Sequence, residues 1–204
     1  MKENCVEICQ KLLEIIKNSE KNIYLIGING APGSGKSTIA KSLVYMLEGS
    51  VHLPLDGYHK YLKDLTEEQK KRRGSPETFD LIKFKENLLQ LKETRCGKFP
   101  DFDHAKKDPE ENKILINESH KYVIIEGLWI FLEGMNIKQL FDLKIYLECT
   151  NENMYERLIK RHLEAGLEDN EEDALNRVKN NDELNYLYLK KNTIVDSSFL
   201  IFKN

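Results

Sequence analysis

Residues 30–38 read Gly-Ala-Pro-Gly-Ser-Gly-Lys-Ser-Thr, a full match to Gly-x-x-x-x-Gly-Lys-[Ser/Thr]. The chemistry this spacing supports is phosphate binding. Glycines let the backbone curl into a concave nest whose N–H groups converge on one anion, and a helix that starts there adds the positive end of its dipole. Lys36 has the reach to touch the outer phosphates, and the Ser37 hydroxyl can help hold Mg²⁺. Gly30, Ala31, Pro32, Gly33, Ser34, Gly35, Lys36, Ser37 and Thr38 are therefore the expected site of a nucleoside triphosphate with Mg²⁺.

Phosphoryl transfer further needs a carboxylate for the metal, a carboxylate to take the acceptor proton, and cations over the transferred group. In an open α/β sheet these belong at the carboxyl ends of strands beside the phosphate loop. Two acids meet that condition: Asp56 ends the apolar run 51–55 and Glu126 ends the run 122–125, each just before a glycine. Asp56 is the choice for general base, because Tyr58 and His59 beside it can line an acceptor pocket. Glu126 is assigned with Ser37 to the metal, directly or through water. Either acid standing alone would read more readily as a turn cap at a strand end.

Arg157 and Arg161 are four apart on a helical stretch and precede a bend broken by Gly166. They read either as part of a lid over 157–172, with Arg157 on the nucleotide and Arg161 in catalysis, or as a solvated face pairing with Glu152, Glu156 or Glu164. The basic run 70–73, Lys-Lys-Arg-Arg, is a solvated face or, if turned to the pocket, a preference for an acidic or phosphorylated acceptor.

These residues need elements to hold them. Val6, Cys9, Leu12, Leu13 and Ile16 recur at helical spacing and predict an amphipathic helix over 4–18. Apolar runs predict strands at 22–28, 51–55, 122–126, 144–149 and 198–202, and the near-continuous 122–126 run suits a strand buried on both faces. Helices are predicted over 36–48, after the capping box that opens at Thr66, and from Asp80 through about 92 with Leu81, Phe84, Leu88 and Leu91 inward and a break at Gly97 and Pro100. Two more follow, 151–165 up to Gly166 and 170–190. Runs at 98–103 and 113–117 flank the turn-forming stretch 107–112 and predict a hairpin. Strands alternating with helices make this an α/β chain with a parallel sheet.

The length of 204 residues suits a single domain, 1–204, with an N-terminal helix within 1–20. A net charge of −3 gives no general attraction to nucleic acid or to an anionic membrane, so neither is expected as a partner. No apolar run approaches the roughly 20 residues of a membrane span. Cys5, Cys9, Cys96 and Cys149 are scattered, and the Cys5/Cys9 pair lacks further ligands for zinc, so both read as small buried hydrophobes. Scattered cysteines in an ATP-using chain suit a reducing compartment. The acidic, amphipathic start is neither a secretory signal nor an Arg-rich transit peptide, so a cytoplasmic location is expected. A homodimer is compatible with these features.

Five motifs occur in a telling order: Gly30 to Thr38, Leu-Asp-Gly-Tyr-His at 55–59, Gly-Ser-Pro-Glu-Thr-Phe-Asp at 74–80, Pro-Asp-Phe-Asp at 100–103 and Val-Ile-Ile-Glu-Gly at 123–127. Together they resemble the phosphoribulokinase/uridine kinase/bacterial pantothenate kinase family of P-loop kinases, nearest its uridine-kinase-like branch. Residues 157–161 and 181–185 look like that family's lid and late helix, so the resemblance spans about 22–196. It implies a three-layer P-loop NTPase fold: a central, mostly parallel sheet of about five strands, helices on both faces and a small helical lid. It also implies ATP-dependent phosphorylation of a hydroxyl on a small metabolite (a nucleoside, a sugar, pantothenate or similar), with Asp56 as base. The acceptor would bind in an insertion over about 57–118. Asp80, Phe102, Asp103 and His104 join Asp56, Tyr58 and His59 as acceptor-pocket candidates, although Asp80 also fits a helix cap and His104 a plain turn. The chain has Gly74-Ser75-Pro76 where uridine kinases carry Asp-His-Pro, and Phe102 where they carry tyrosine.

The alternative from another class is a regulatory NTPase switch with no small-molecule acceptor. A guanine switch needs Asp-x-x-Gly after a strand and a late Asn-Lys-x-Asp; the first is absent, and the Asn-Lys at 112–113 continues Ile-Leu. The Leu-Ser-Gly-Gly of ABC-type ATPases is absent too.

Overall fold

The long apolar runs of the sequence become the strands of one parallel sheet. The computed structural model describes residues 2–17 and 19–203, with side chains from residue 5 onward. The main strands are β1 (Tyr24–Gly30), β2 (Ser50–Pro54), β5 (Tyr122–Glu126), β6 (Leu143–Glu148) and β7 (Phe199–Lys203). All pair in parallel, in the order β2-β5-β1-β6-β7, so the strand that feeds the phosphate loop is central. A central parallel strand must be apolar on both faces, and β5 is buried at all five positions.

The period of two distributes these side chains between two cores. Val123 and Ile125 join Leu25, Leu53 and Trp129 on one face, together with Phe84, Leu88 and Leu91 of α4 (Leu81–Thr94). Tyr122 and Ile124 join Ile26, Ile28 and Ile145 on the other, covered by α1 (Lys2–Ile16) through Ile8 and Leu12 and by α2 (Lys36–Met46) through Ile39 and Leu43. Helices thus lie on both faces. The residue 18 end expected for the first helix lies outside the described residues.

Between β2 and β5 the chain builds a separate structure at the rim. The short helix α3 (Glu67–Lys71) is opened by the full Thr66/Gln69 capping box. Asp80 opens α4 by accepting from the Lys83 N–H at 3.0 Å. That helix ends at Arg95, in the left-handed region at φ +58°, while Gly97 and Pro100 fall inside strand β3 (Gly97–Asp103) instead of breaking the helix. The hairpin of β3 with the antiparallel β4 (Asp108–Ile116) forms as expected, but its turn is 104–107 and not 107–112. The Asp103 carboxylate accepts from the N–H groups of Ala105 (2.9 Å) and Lys106 (3.1 Å) and so fixes the turn next to itself.

After β6, α5 (Asn151–Glu164) is capped by Thr150 and followed by Gly166 at φ +59°. The helix expected over 170–190 divides into α6 (Glu171–Arg177), one π-helical turn (Val178–Asp182) and α7 (Glu183–Asn192). Such turns are frequent at functional sites, and this one faces the cleft.

Candidate active site

A cleft of about 790 Å³ opens at the carboxyl end of the sheet, lined from the phosphate loop by Pro32, Gly33, Gly35, Lys36, Ser37 and Thr38. Gly35, at φ +90°, turns the chain into α2 through the left-handed region. Gly30, Ala31 and Ser34 sit behind the lining and complete the loop. The buried Lys36 ammonium donates to the carbonyls of Gly30 (3.0 Å) and Ala31 (2.7 Å). Burial pushes its pKa down to about 8, against the opposing pull of Glu126.

Asp56 and Glu126 emerge side by side because Pro54 of β2 pairs with Glu126 of β5. Glu126 accepts from the Ser37 hydroxyl at 3.0 Å, and His52 Nε2 stands 3.5 Å away. Burial alone would raise the Glu126 pKa; His52, Lys36 and Ser37 outweigh it and hold it below the ordinary value. Asp56 goes the other way. Burial, then the neighbouring Glu126 charge, raise it to about 6, with Arg161, Lys36 and His104 opposing. Protein surrounds Asp56 on the cleft walls, but the residue is itself exposed to the solvent that fills the cleft. Gly57 lets its turn lie against the hairpin, since a Cβ there would come within 2.4 Å of the Pro100 carbonyl oxygen.

The wall opposite the phosphate loop is aromatic and basic. His59 stacks on Phe79 at 3.8 Å and lies 5.2 Å from Phe102, which in turn meets His104 edge-on at 5.2 Å. Burial, helped by the Arg73 charge, pushes the His59 pKa down to about 3, so the ring is neutral. His59, Phe102 and His104 line the cleft. Tyr58, Asp80 and Asp103 do not line the cleft, which corrects their assignment as acceptor contacts. Tyr58 is buried edge-on to Phe84 at 5.0 Å and accepts from Asn87 at 3.1 Å, Asp80 caps α4, and Asp103 fixes the hairpin turn.

Arg157 and Arg161 both face the cleft from α5. Arg157 donates to the Gly33 carbonyl at 3.2 Å, and Arg161 stands 3.8 Å from Asp182. Among the described residues neither pairs with Glu152, Glu156 or Glu164; Lys160 takes Glu164 instead. Sequence reasoning missed the buried contact of His162 with Asp182 at 2.8 Å, as well as His52, Lys107 and Arg177. The available signals were a histidine inside the apolar strand run at 52 and a histidine directly after Arg161. The basic run divides its labour. Lys70 pairs with Glu67, Arg72 binds the π turn and α7, and Arg73 lines the cleft.

Among the described residues no cluster of three or more His, Cys, Asp or Glu side chains could hold a metal. Ser37 and Glu126 offer two hard oxygens 3.0 Å apart. That sparse oxygen set fits Mg²⁺, which keeps waters and substrate phosphates among its ligands.

A central parallel strand feeding a phosphate loop, with carboxylates and arginines gathered over it, defines a P-loop NTPase fold. Residues 25–181 match the model of the Phosphoribulokinase / Uridine kinase family, and the chain belongs to this family of ATP-dependent small-molecule kinases. It is 30% identical over 204 aligned residues to the Schizosaccharomyces pombe protein named "Putative uridine kinase C227.14", covering 92% of this chain and 86% of that one. It is 31% identical over 140 aligned residues to "Uridine kinase" of Borreliella burgdorferi, covering 68% of this chain and 67% of that one. The crystal structure of a "putative fructose transport system kinase" from Silicibacter sp. TM1040 overlays with a TM-score of 0.82 at 27% identity, covering 97% of this chain and 98% of that one. No helix among the described residues is long and apolar enough to cross a membrane.

Proposed function

We propose that this chain transfers the γ-phosphoryl group of ATP to a hydroxyl of a small metabolite, with Asp56 as general base. The observation that carries the reading is the convergence of Asp56, Lys36 and Arg161 on one cleft, with the Asp56 pKa raised to about 6. A base so tuned is ionised at neutral pH and still takes a proton readily. In the reaction the acceptor hydroxyl gives its proton to the Asp56 carboxylate while its oxygen bonds to the γ-phosphorus. The bond from that phosphorus to the bridging oxygen breaks, and ADP leaves with the electron pair. Lys36, Arg157 and Arg161 stabilise the charge on the phosphoryl oxygens, and the lid over 157–172 excludes water. Mg²⁺ held by Ser37 and Glu126 would neutralise charge on the β- and γ-phosphates. The acceptor lies between Asp56 and the wall of His59, Phe79, Phe102 and His104, which belongs to the insertion at about 57–118. Free cysteines throughout, Cys9 and Cys149 buried among them, suit work in a reducing cytoplasm.

Coupled ADP release tests this with ATP, Mg²⁺ and a panel of pantothenate, uridine, cytidine, ribose, fructose, glycerate and ribulose 5-phosphate. Stimulation by an acceptor is the expected outcome. Nucleotide turnover indifferent to every acceptor would turn the assignment toward a regulatory NTPase.

A further inference from the structure

We infer that the acceptor is an anion, carrying a carboxylate or phosphate away from its reacting hydroxyl, and that Arg73 and Lys107 hold that group. The inference rests on the kinase reading above and names the class of its acceptor.

Arg177 pairs with Glu168 at 3.1 Å, and the other lysines and arginines lining the cleft fall into two sets. Lys36, Arg157 and Arg161 stand at the phosphate loop and on α5, where nucleotide phosphates account for them. Arg73 and Lys107 line the acceptor wall, on the segment between β2 and β5, out of that set. Arg73 is presented by a purpose-built support. Its neighbour Arg72 donates to the Asn180 carbonyl (2.8 Å), Asn181 Oδ1 (2.7 Å) and Asn185 Oδ1 (3.1 Å). Asn181 Nδ2 donates back to the Arg73 carbonyl at 3.1 Å. The Arg73 guanidinium then lies over the Phe102 ring, 5.7 Å from its centroid, with its side chain only 14% exposed.

In that position Arg73 is short of acceptors. Nη2 reaches Asp108 (3.2 Å) and the Lys60 carbonyl (3.3 Å), while Nε and Nη1 are buried without a hydrogen-bond partner. Leaving donors of a charged group unpaired is costly, and a turn of the side chain away from its ion pair with Asp108 would uncover these N–H groups as a fork matched to a carboxylate or phosphate. Lys107 sits on the hairpin turn at φ +58° and has no ion-pair partner among the described residues, whereas Lys106 beside it takes Asp103 and Glu110. The same wall is poor in groups that could accept from a neutral polyol. The acids lining the cleft are Asp56, Glu126 and Asp182; Ser37 engages Glu126 and His162 engages Asp182, which leaves Asp56 for the acceptor. His104 bridges the two ends, packing on Phe102 and bearing electrostatically on Asp56, so a small molecule can span from the base to Arg73.

The test compares matched pairs that differ in the anion: glycerate with glycerol and pantothenate with panthenol for a carboxylate, ribose 5-phosphate with ribose for a phosphate. ADP release gives kcat/KM for each. Calorimetry on Asp56→Asn with a non-hydrolysable ATP analogue and Mg²⁺ gives binding without turnover. At least one anionic member is expected to exceed its neutral partner by about 10-fold or more, and Arg73→Gln to raise its KM by about 10- to 100-fold with a smaller change in kcat. Arg73→Lys should fall between. Lys107→Gln, on an exposed turn that carries no packing, should give part of the KM effect in a fully folded enzyme. Neutral members used or bound as well as the anionic ones would overturn the inference and leave the kinase reading standing, as would an anion preference untouched by both variants. ATP turnover that no member of any pair stimulates, with no member bound, would overturn both.

Discussion

With its pKa raised to about 6, the Asp56 carboxylate is protonated below that pH and loses the basicity the proposed role requires. Turnover should therefore fall as pH drops through that value, and a pH profile of kcat/KM reads it directly. Asp56→Asn should cut turnover about 10²-fold or more and leave ATP binding near intact, as titration calorimetry would show. The same raised pKa has a stability sign. The folded chain binds this proton more tightly than the unfolded chain, whose carboxyl sits at the ordinary 3.8, so ionised Asp56 destabilises the fold, and stability is lost as pH rises through the window between these values. Asp56→Asn should thus melt higher than the parent enzyme at pH 7–8, with the gap closing as pH falls below 6. A melting series in which the gap is flat with pH would refute this. Asp56 and Glu126 were legible as acids ending apolar runs, but the roles given to Tyr58, Asp80 and Asp103 were not. Neighbours in sequence point different ways where the chain turns tightly. Tyr58 follows Asp56 by two positions yet points into the core against Phe84.

The hairpin β3–β4 and its turn bring Phe102, His104 and Lys107 to the wall of the cleft, and Gly57 is where the hairpin docks. A Cβ there would press on the Pro100 carbonyl, so Gly57→Ala must push hairpin and base apart. We expect a loss of stability of about 1–3 kcal/mol and an acceptor KM raised well beyond any change in the KM for ATP. Steady-state kinetics in both substrates would separate the two. Strands, caps and the P-loop helix were readable because each is a local matter: alternation, a capping side chain, a glycine. The divided helix after residue 170 was not. Its π turn is set by packing, with Val178 buried and Asn181 and Asp182 turned to Arg72, His162 and the cleft. Local periodicity does not record partners so distant in the chain.

At the scale of the whole molecule, the nucleotide binds only the folded chain, so it should act as a stabiliser. Saturation at about a hundred times its Kd adds about 2.7 kcal/mol, which raises Tm by roughly 5–11 °C for a chain of this size. Differential scanning fluorimetry with ATP and Mg²⁺ measures it, and Lys36→Ala should abolish most of the shift. The α/β class was plain from the alternation of elements; the order of the strands was not, because pairing is decided across the molecule. That order bears on the protein's birth at the ribosome. The phosphate loop is complete once residue 38 has been made, but the strand carrying it pairs only with strands that begin at residues 122 and 143. A nascent chain therefore displays the most recognisable motif of the enzyme long before it can grip a nucleotide. Chains arrested at residue 118 should retain no measurable ATP, and capture should appear only after residue 148 has cleared the exit tunnel. Until then both edges of β1 lack the strands that pair with them.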